Sequence, residues 1–277
     1  MWNQEYFREL INPGAIGMVH LQPLPGSPDW QGDLAAVMAA ALTDASALSE
    51  AGIRAIMVEN YHDVPFYPGR VPSETVAAMT AVISALGNEF PEIALGVNVL
   101  RNDAASALGI AVATGARFIR VNVHVGAMVT DQGSIEGQAW HTLRLRRQLE
   151  VPEVGILADV RVKHARPLAE RPLGQEAQDL RLRGRADAVI VTGAATGSGA
   201  AAADVIAVRE ALPDCPLLVG SGMTSETAPN FFPTADGCII GSALKVTDDE
   251  SGNPVVSVAK TVHFLEAMAA AQSKGRS

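Results

Sequence analysis

The chain has 277 residues and a formal net charge of −9; 48% of its residues are hydrophobic and only 5% aromatic. That acidity repels long polyanions and sets nucleic acid aside as a partner. The two cysteines, Cys215 and Cys238, form no CxxC pair, so neither a disulfide framework nor a zinc motif is expected.

The N-terminal MWNQEYFREL lacks the charged and apolar blocks of a secretory leader. No apolar run is long enough to span a bilayer, so a cytoplasmic protein without membrane insertion is expected. The first strand is AIGMVHL from Ala15. A helix follows, with Asp33 as its N-cap and Gly52 just past its end. IRAIMVEN from Ile53 is the second strand, and the helix after it starts at Ser73, read as a cap, and runs to Gly87. IALGVNVL, FIRVNVHV and VGILADVR, from Ile93, Phe118 and Val154, are strands three to five. AVIVTG, PLLVGSG and GCIIGSAL, from Ala188, Pro216 and Gly237, complete the set.

Helical stretches ASALGIAVATG, GQEAQDLRLRG, AAADVIAVREAL and SVAKTVHFLEAMAAAQ alternate with these strands. A further apparent helix carries Arg144, Arg146 and Arg147 on a solvated face, and SETAPNFF after strand seven is the weakest helix. Each strand is a short, nearly continuous apolar run, as burial on both faces requires. Strands alternating with helices imply parallel pairing through right-handed crossovers. Eight such units predict one (β/α)₈ TIM barrel over residues 1–277, with a frayed tail from about 272; a doubly wound open sheet is the alternative.

In such barrels, chemistry gathers at the C-terminal ends of the strands. In chain order those ends carry His20, then Glu59 and Asn60, Asn98, Asn122 and His124, and Asp159 with Lys163 and His164. Thr192 and Gly193, then Gly220, Ser221 and Gly222, then Gly241 and Ser242 end the last three. An unpartnered buried polar group costs roughly 1–3 kcal/mol, so a set gathered at one end points to a site. Period-two alternation puts Asp159, Arg161 and Lys163 on one face, and Arg120, Asn122 and His124 on another. On strand two it favours Glu59 over Asn60 as the inward residue, because inward Ala55 and Met57 then put the bulkier Ile56 and Val58 against the helices.

The glycine- and serine-rich ends GSGMTSE and GSALK let backbone N–H groups approach an anion. Gly193, Gly220, Ser221, Gly222, Gly241 and Ser242 are therefore the phosphate-binding candidates. The sixth loop, TGAATGSGA with Gly193, Gly197 and Gly199, is neither a P-loop nor a dinucleotide fingerprint. It is either a bland loop or a second anion contact.

For acid–base work the candidates are Asp159 and Glu59 as base, Lys163 as oxyanion stabiliser, and His20 or His124 as proton carriers. Asn60, Asn98, Asn122, His164 and Thr192 are candidates for holding substrate. On this reading Asp159→Asn abolishes turnover and barely moves the melting temperature. Lys163 is alternatively a Schiff-base amine or a phosphate neutraliser. Nothing in the sequence requires a cofactor; a divalent metal is an option, with His20, Glu59, His124 and Asp159 as suitable ligands but no diagnostic spacing. No GxSxG elbow supports a serine hydrolase. Two long loops, YHDVPFYPGRVPSE and GAMVTDQGSIEGQAW, are either lids or contacts of a homo-oligomer, Phe66 and Tyr67 especially.

The segment GMVHLQPLPGSP (residues 17–28) resembles the opening of the BtpA/SgcQ family. VENYHDVPF, the RVNV run, DVRVKHARPL, VTGAATG and VGSGMT extend the resemblance over nearly the whole chain. The resemblance implies a TIM barrel. It also brings in a relative linked to photosystem I biogenesis, relatives among sugar-utilisation genes, and a nucleoside-triphosphatase label that no P-loop here supports. Its matched polar positions are His20, Glu59, Asn60, His62, Asp63, Asn98, Asn122, Asp159, Lys163 and His164. Three functions stay open: an isomerase, epimerase or lyase acting on a small phosphorylated metabolite, a sugar phosphate or nucleotide-like compound; a non-catalytic assembly or regulatory factor of the photosystem I biogenesis type; and a metal-dependent phosphate-ester hydrolase.

Overall fold

A computed structural model describes residues 2–193, 200–232, 234–248 and 252–274. The apolar runs form β1 (Ala15–His20), β2 (Ala55–Glu59), β3 (Ala94–Asn98) and β4 (Phe118–Val121). An antiparallel insertion, β5 (Ala127–Thr130) and β6 (Gly133–Glu136), precedes β7 (Gly155–Arg161) and β8 (Ala165–Pro167). The chain continues through β9 (Ala188–Val191), β10 (Leu217–Val219) and β11 (Gly237–Ile240), and a last antiparallel pair is β12 (Lys245–Thr247) and β13 (Pro254–Val256). Among the described residues eight parallel strands close in the order β1, β11, β10, β9, β7, β4, β3, β2, which sets the open-sheet alternative aside.

Alternation along each strand divides the core in two. Ile16, Met18, Ala55, Met57, Phe118, Leu157, Ile190 and Leu218 fill the barrel interior, whereas Ile56, Val58, Ile119, Ile156 and Val189 pack outward on the helices. The inward set on β2 therefore runs Ala55, Met57, Glu59. Gly96 faces the Phe118 ring, and a Cβ there would overlap it.

The outer helices are α2 (Leu34–Glu50), α3 (Ser73–Glu89), α4 (Ala104–Thr114), α5 (Ala139–Gln148), α6 (Leu173–Gln178), α7 (Ala202–Ala211) and α8 (Val258–Lys274), after an N-terminal α1 (Gln4–Leu10). Asp33 caps α2 by accepting from Ala36 N, and Gly52 follows its end at φ +104. Ser73 is not the cap of α3; it is the first helical residue, and Pro72 holds the cap position with no side-chain bond. The expected helix at SETAPNFF shrinks to one 3₁₀ turn, Ala228–Asn230, whose start Pro229 suits but which nothing extends. The GQEAQDLRLRG helix splits, its last turn widening to π geometry over Asp179–Arg183. Residues 272–274, expected to fray, lie within α8, while 275–277 and the glycines at 197 and 199 lie outside the described residues. Among the described residues no helix is long and apolar enough to cross a membrane.

α1 is an element the strand–helix alternation did not anticipate. Its Phe7, with Trp2 and Ile11 at either side, packs into the barrel interior beside Phe118, Leu157 and Leu218, forming a floor at the N-terminal end. Two aspartates tie that floor down. Asp187 accepts from Trp2 N, Ile156 N and Arg146; Asp236 accepts from Arg8, Arg209 and Leu217 N. The polar rim at the opposite end is left open.

Candidate active site

Neighbouring strands set the first cluster side by side, because the β1–β2–β3 register pairs His20 with Glu59 and Glu59 with Asn98. All three are at strand ends, and Glu59 and Asn98 are buried. Asn98 Nδ2 donates to Glu59 Oε1. Glu59 Oε2 faces His20 Nε2 at 3.6 Å, just beyond hydrogen-bond reach. His20 stacks on Tyr61 with ring centroids 4.4 Å apart. A Cβ at residue 241 would stand 3.0 Å from His20 Cε1, so Gly241 gives the imidazole its room. Burial first, then the positive fields of Lys245 and Lys163, push His20 down to about 3. It is neutral at neutral pH and so able to donate from one ring nitrogen and accept at the other.

A second cluster lies beneath. Arg120 Nε and Nη2 donate to Asp159 Oδ1 at 3.2 and 3.1 Å, and Nη2 also reaches Oδ2 at 3.1 Å. Asn122 Nδ2 donates to Oδ2 at 2.7 Å. Burial presses on the Arg120 guanidinium, but the Asp159 and Glu59 carboxylates beside it more than offset that and hold it above its ordinary value. Both oxygens of Asp159 are engaged and its side chain is sealed from solvent, so it sits as the counter-ion of Arg120. Of the two carboxylates read as candidate bases, Asp159 is thus the one bonded to Arg120 and Asn122.

A bulge between Asp159 and Arg161 shifts the register against β9. Arg161 therefore turns outward to Glu176, at 2.9 Å, rather than sharing a face with Asp159. Lys163, beyond the bulge, returns to the mouth. Burial lowers its pKa, with Arg120 and Arg101 pressing the same way against the pull of Glu59 and Asp159. Arg101 Nη2 donates to the Lys163 carbonyl at 2.7 Å.

These groups open onto one cavity of about 490 Å³, lined by His20, Glu59, Arg120 and Lys163 together with residues 220–224 and 241–243. The glycine–serine ends of β10 and β11 thus face the acid–base cluster. Gly220 is an exception as a donor: its N–H is taken by Val191 O, and its missing side chain serves close packing on Ile190. Gly222, at φ +68, turns the backbone that follows.

Several expected site residues lie elsewhere. β4 ends at Val121, so alternation lapses, and His124 turns outward to Gly184 O at 2.9 Å. Asn60 organises a loop instead, accepting from Leu100 N and donating to Asp63, which in turn accepts from Leu24 N. Thr192 donates to Arg161 O, and Gly193 N donates to Ser221 Oγ. With His164, both line a separate cavity of about 480 Å³ beside β5 and β8. The loop after the fourth strand is not a bare lid: its β5–β6 hairpin joins β8 in a three-stranded sheet over Val123 and Val162. The four suitable metal ligands are split among three places, and among the described residues no three His, Cys, Asp or Glu side chains gather. Arg120 and Arg101 have no role in the sequence reading; for Arg120 the available signal is an arginine inside the otherwise apolar strand FIRV, and for Arg101 the sequence carries none.

The chain matches solved structures at the level of fold. Phosphoribosyl anthranilate isomerase from Thermus thermophilus aligns with TM-score 0.56 at 11% identity, over 93% of this chain and 98% of that one. The 3-keto-L-gulonate-6-phosphate decarboxylase of Vibrio cholerae aligns with TM-score 0.55 at 15% identity, over 94% and 97%. By sequence it is 45% identical to the photosystem I biogenesis protein BtpA of Synechocystis, over 93% of this chain and 88% of the relative. An uncharacterized protein of Thermococcus kodakarensis is 46% identical over 83% and 86%. Residues 12–270 match the profile of the BtpA family, and the chain belongs to that family.

Proposed function

We propose that the barrel mouth binds a small phosphorylated metabolite and catalyses isomerase-, epimerase- or lyase-type acid–base chemistry. The observation that carries the reading is the single cavity in which Glu59, neutral His20 and Lys163 face the glycine–serine ends of β10 and β11. Glu59 is the base: Asn98 fixes one oxygen and the other stays open toward His20 and the cavity. Lys163 stabilises developing oxyanion charge, and His20 relays the proton. Ser221, Gly222, Gly241 and Ser242 cradle the phosphate. The names of the two solved barrels, both enzymes of phosphorylated compounds, agree with this at the level of fold. A cytoplasmic, homo-oligomeric enzyme belongs to the same proposal.

A thermal-shift screen against inorganic phosphate, sugar phosphates and nucleotides, with and without divalent metals, tests it. A ligand at 100 times its Kd stabilises by about 2.7 kcal/mol, which raises Tm by several degrees. Ser242→Asp, which adds like charge to the cradle, should erase that shift. No shift with any phosphorylated compound sinks the reading. The alternative, a non-catalytic assembly factor, rests on the name of the Synechocystis relative and would use outer-surface side chains such as exposed Trp140 and Leu168.

A further inference from the structure

In and around that cavity the cations are not all matched. Arg120 is held by Asp159, and Lys245 by Asp44 at 3.0 Å. Lys163 makes no ion pair among the described residues, although it lines the cavity and is half-buried. One further donor beside it is incompletely bonded: Arg101 Nε is buried without a hydrogen-bond partner, in a residue only 4% exposed. Arg101 donates to the Lys163 carbonyl, and Arg120, Glu59 and Asp159 lie within electrostatic reach of the Lys163 ammonium, so these groups share one neighbourhood. Three cations, Arg101, Arg120 and Lys163, stand there against the carboxylates Glu59 and Asp159. A buried donor or charge without a partner is costly, and an anionic ligand group supplies what it lacks.

We infer that the ligand carries two anionic ends: a phosphate at the β10–β11 loops and a carboxylate at Lys163. This deepens, and rests on, the phosphate reading above. The substrate class is a phosphorylated hydroxy or keto acid small enough for a cavity of about 490 Å³. The chemistry is consistent with Glu59 as base. A proton alpha to a carboxylate leaves as Glu59 accepts it, and the electron pair moves onto the carboxylate oxygens, where Lys163 compensates the second negative charge.

Calorimetric titrations with inorganic phosphate, glycerol 3-phosphate and 3-phosphoglycerate test this. The last two share a three-carbon frame and a phosphate and differ in the carboxylate. The wild type should bind 3-phosphoglycerate at least tenfold more tightly than glycerol 3-phosphate. Lys163→Met should remove that preference and keep its affinity for glycerol 3-phosphate. Should Lys163→Met lower the melting temperature, Lys163→Gln replaces it. Equal affinity for the two compounds in the wild type overturns the two-anion inference and leaves the phosphate reading standing. Failure of all three probes to bind overturns the two-anion inference, and the phosphate reading falls with it when the wider screen of sugar phosphates and nucleotides also gives no shift.

Discussion

Asp159 and Glu59 show how two carboxylates in one barrel acquire different work. Asp159 faces a guanidinium at 3.1 Å and an amide at 2.7 Å, with no exposed surface. Asp159→Asn leaves Arg120 buried without its counter-charge, and the expected cost is about 3–5 kcal/mol in urea titration. That outcome reverses the stability-neutral effect expected from sequence. Glu59→Gln keeps an oxygen for Asn98 and should change stability by less than about 1.5 kcal/mol. Turnover of whatever phosphorylated compound the screen identifies should fall about 10²- to 10⁴-fold, as expected when a general base is removed. His20 makes a pH prediction. Its folded pKa of about 3 lies below the ordinary histidine value of 6.5, so between these pH values the unfolded chain binds the extra proton. Stability is therefore full above about pH 6.5 and falls as pH drops toward 3, by up to about 1.4 kcal/mol per pH unit. Acid titrations followed by circular dichroism should show a shallower fall in His20→Gln.

Elements set where these side chains point. The bulge in β7 decides that Arg161 leaves the barrel and Lys163 enters its mouth. The end of β4 at Val121 decides that His124 leaves. α1 seals the opposite end, where Gly155 and Gly237 let Trp2 and Ile11 approach so closely that a Cβ would collide. Phe7 is fully buried in that floor. Phe7→Ala should cost about 3–5 kcal/mol by chemical denaturation. The rim charges lie at the other end of the barrel, so ligand-induced thermal shifts should persist below the lowered Tm.

At the scale of the molecule, a chain of net charge −9 keeps a locally cationic mouth, because burial shields Arg120 and Arg101 from the acidic exterior. On the proposed function, such a mouth suits a small anion, whereas the acidic exterior repels a polyanion. Both cysteines lie inside the same packed shell. Burial pushes the Cys215 thiol up to about 11 and raises Cys238 further. Neither should react with a thiol-specific disulfide reagent in the native protein, and both should react in guanidinium.

The barrel was legible in the chain because its signals are local: short apolar runs, glycine ends, a capping aspartate and one alternation of period repeated eight times. The positions of His20, Glu59 and Asn98 at strand ends followed from the same local rule. What local rules could not supply were the events that break periodicity, namely the β7 bulge, the early end of β4 and the hairpin β5–β6. These arise from competition among neighbouring elements for space and hydrogen bonds. Pairing Asp159 with Arg120, 39 residues away, likewise needed the strands laid side by side. Charge burial has no one-dimensional signature, so only the closed barrel determined which carboxylate was neutralised and which was left facing the cavity.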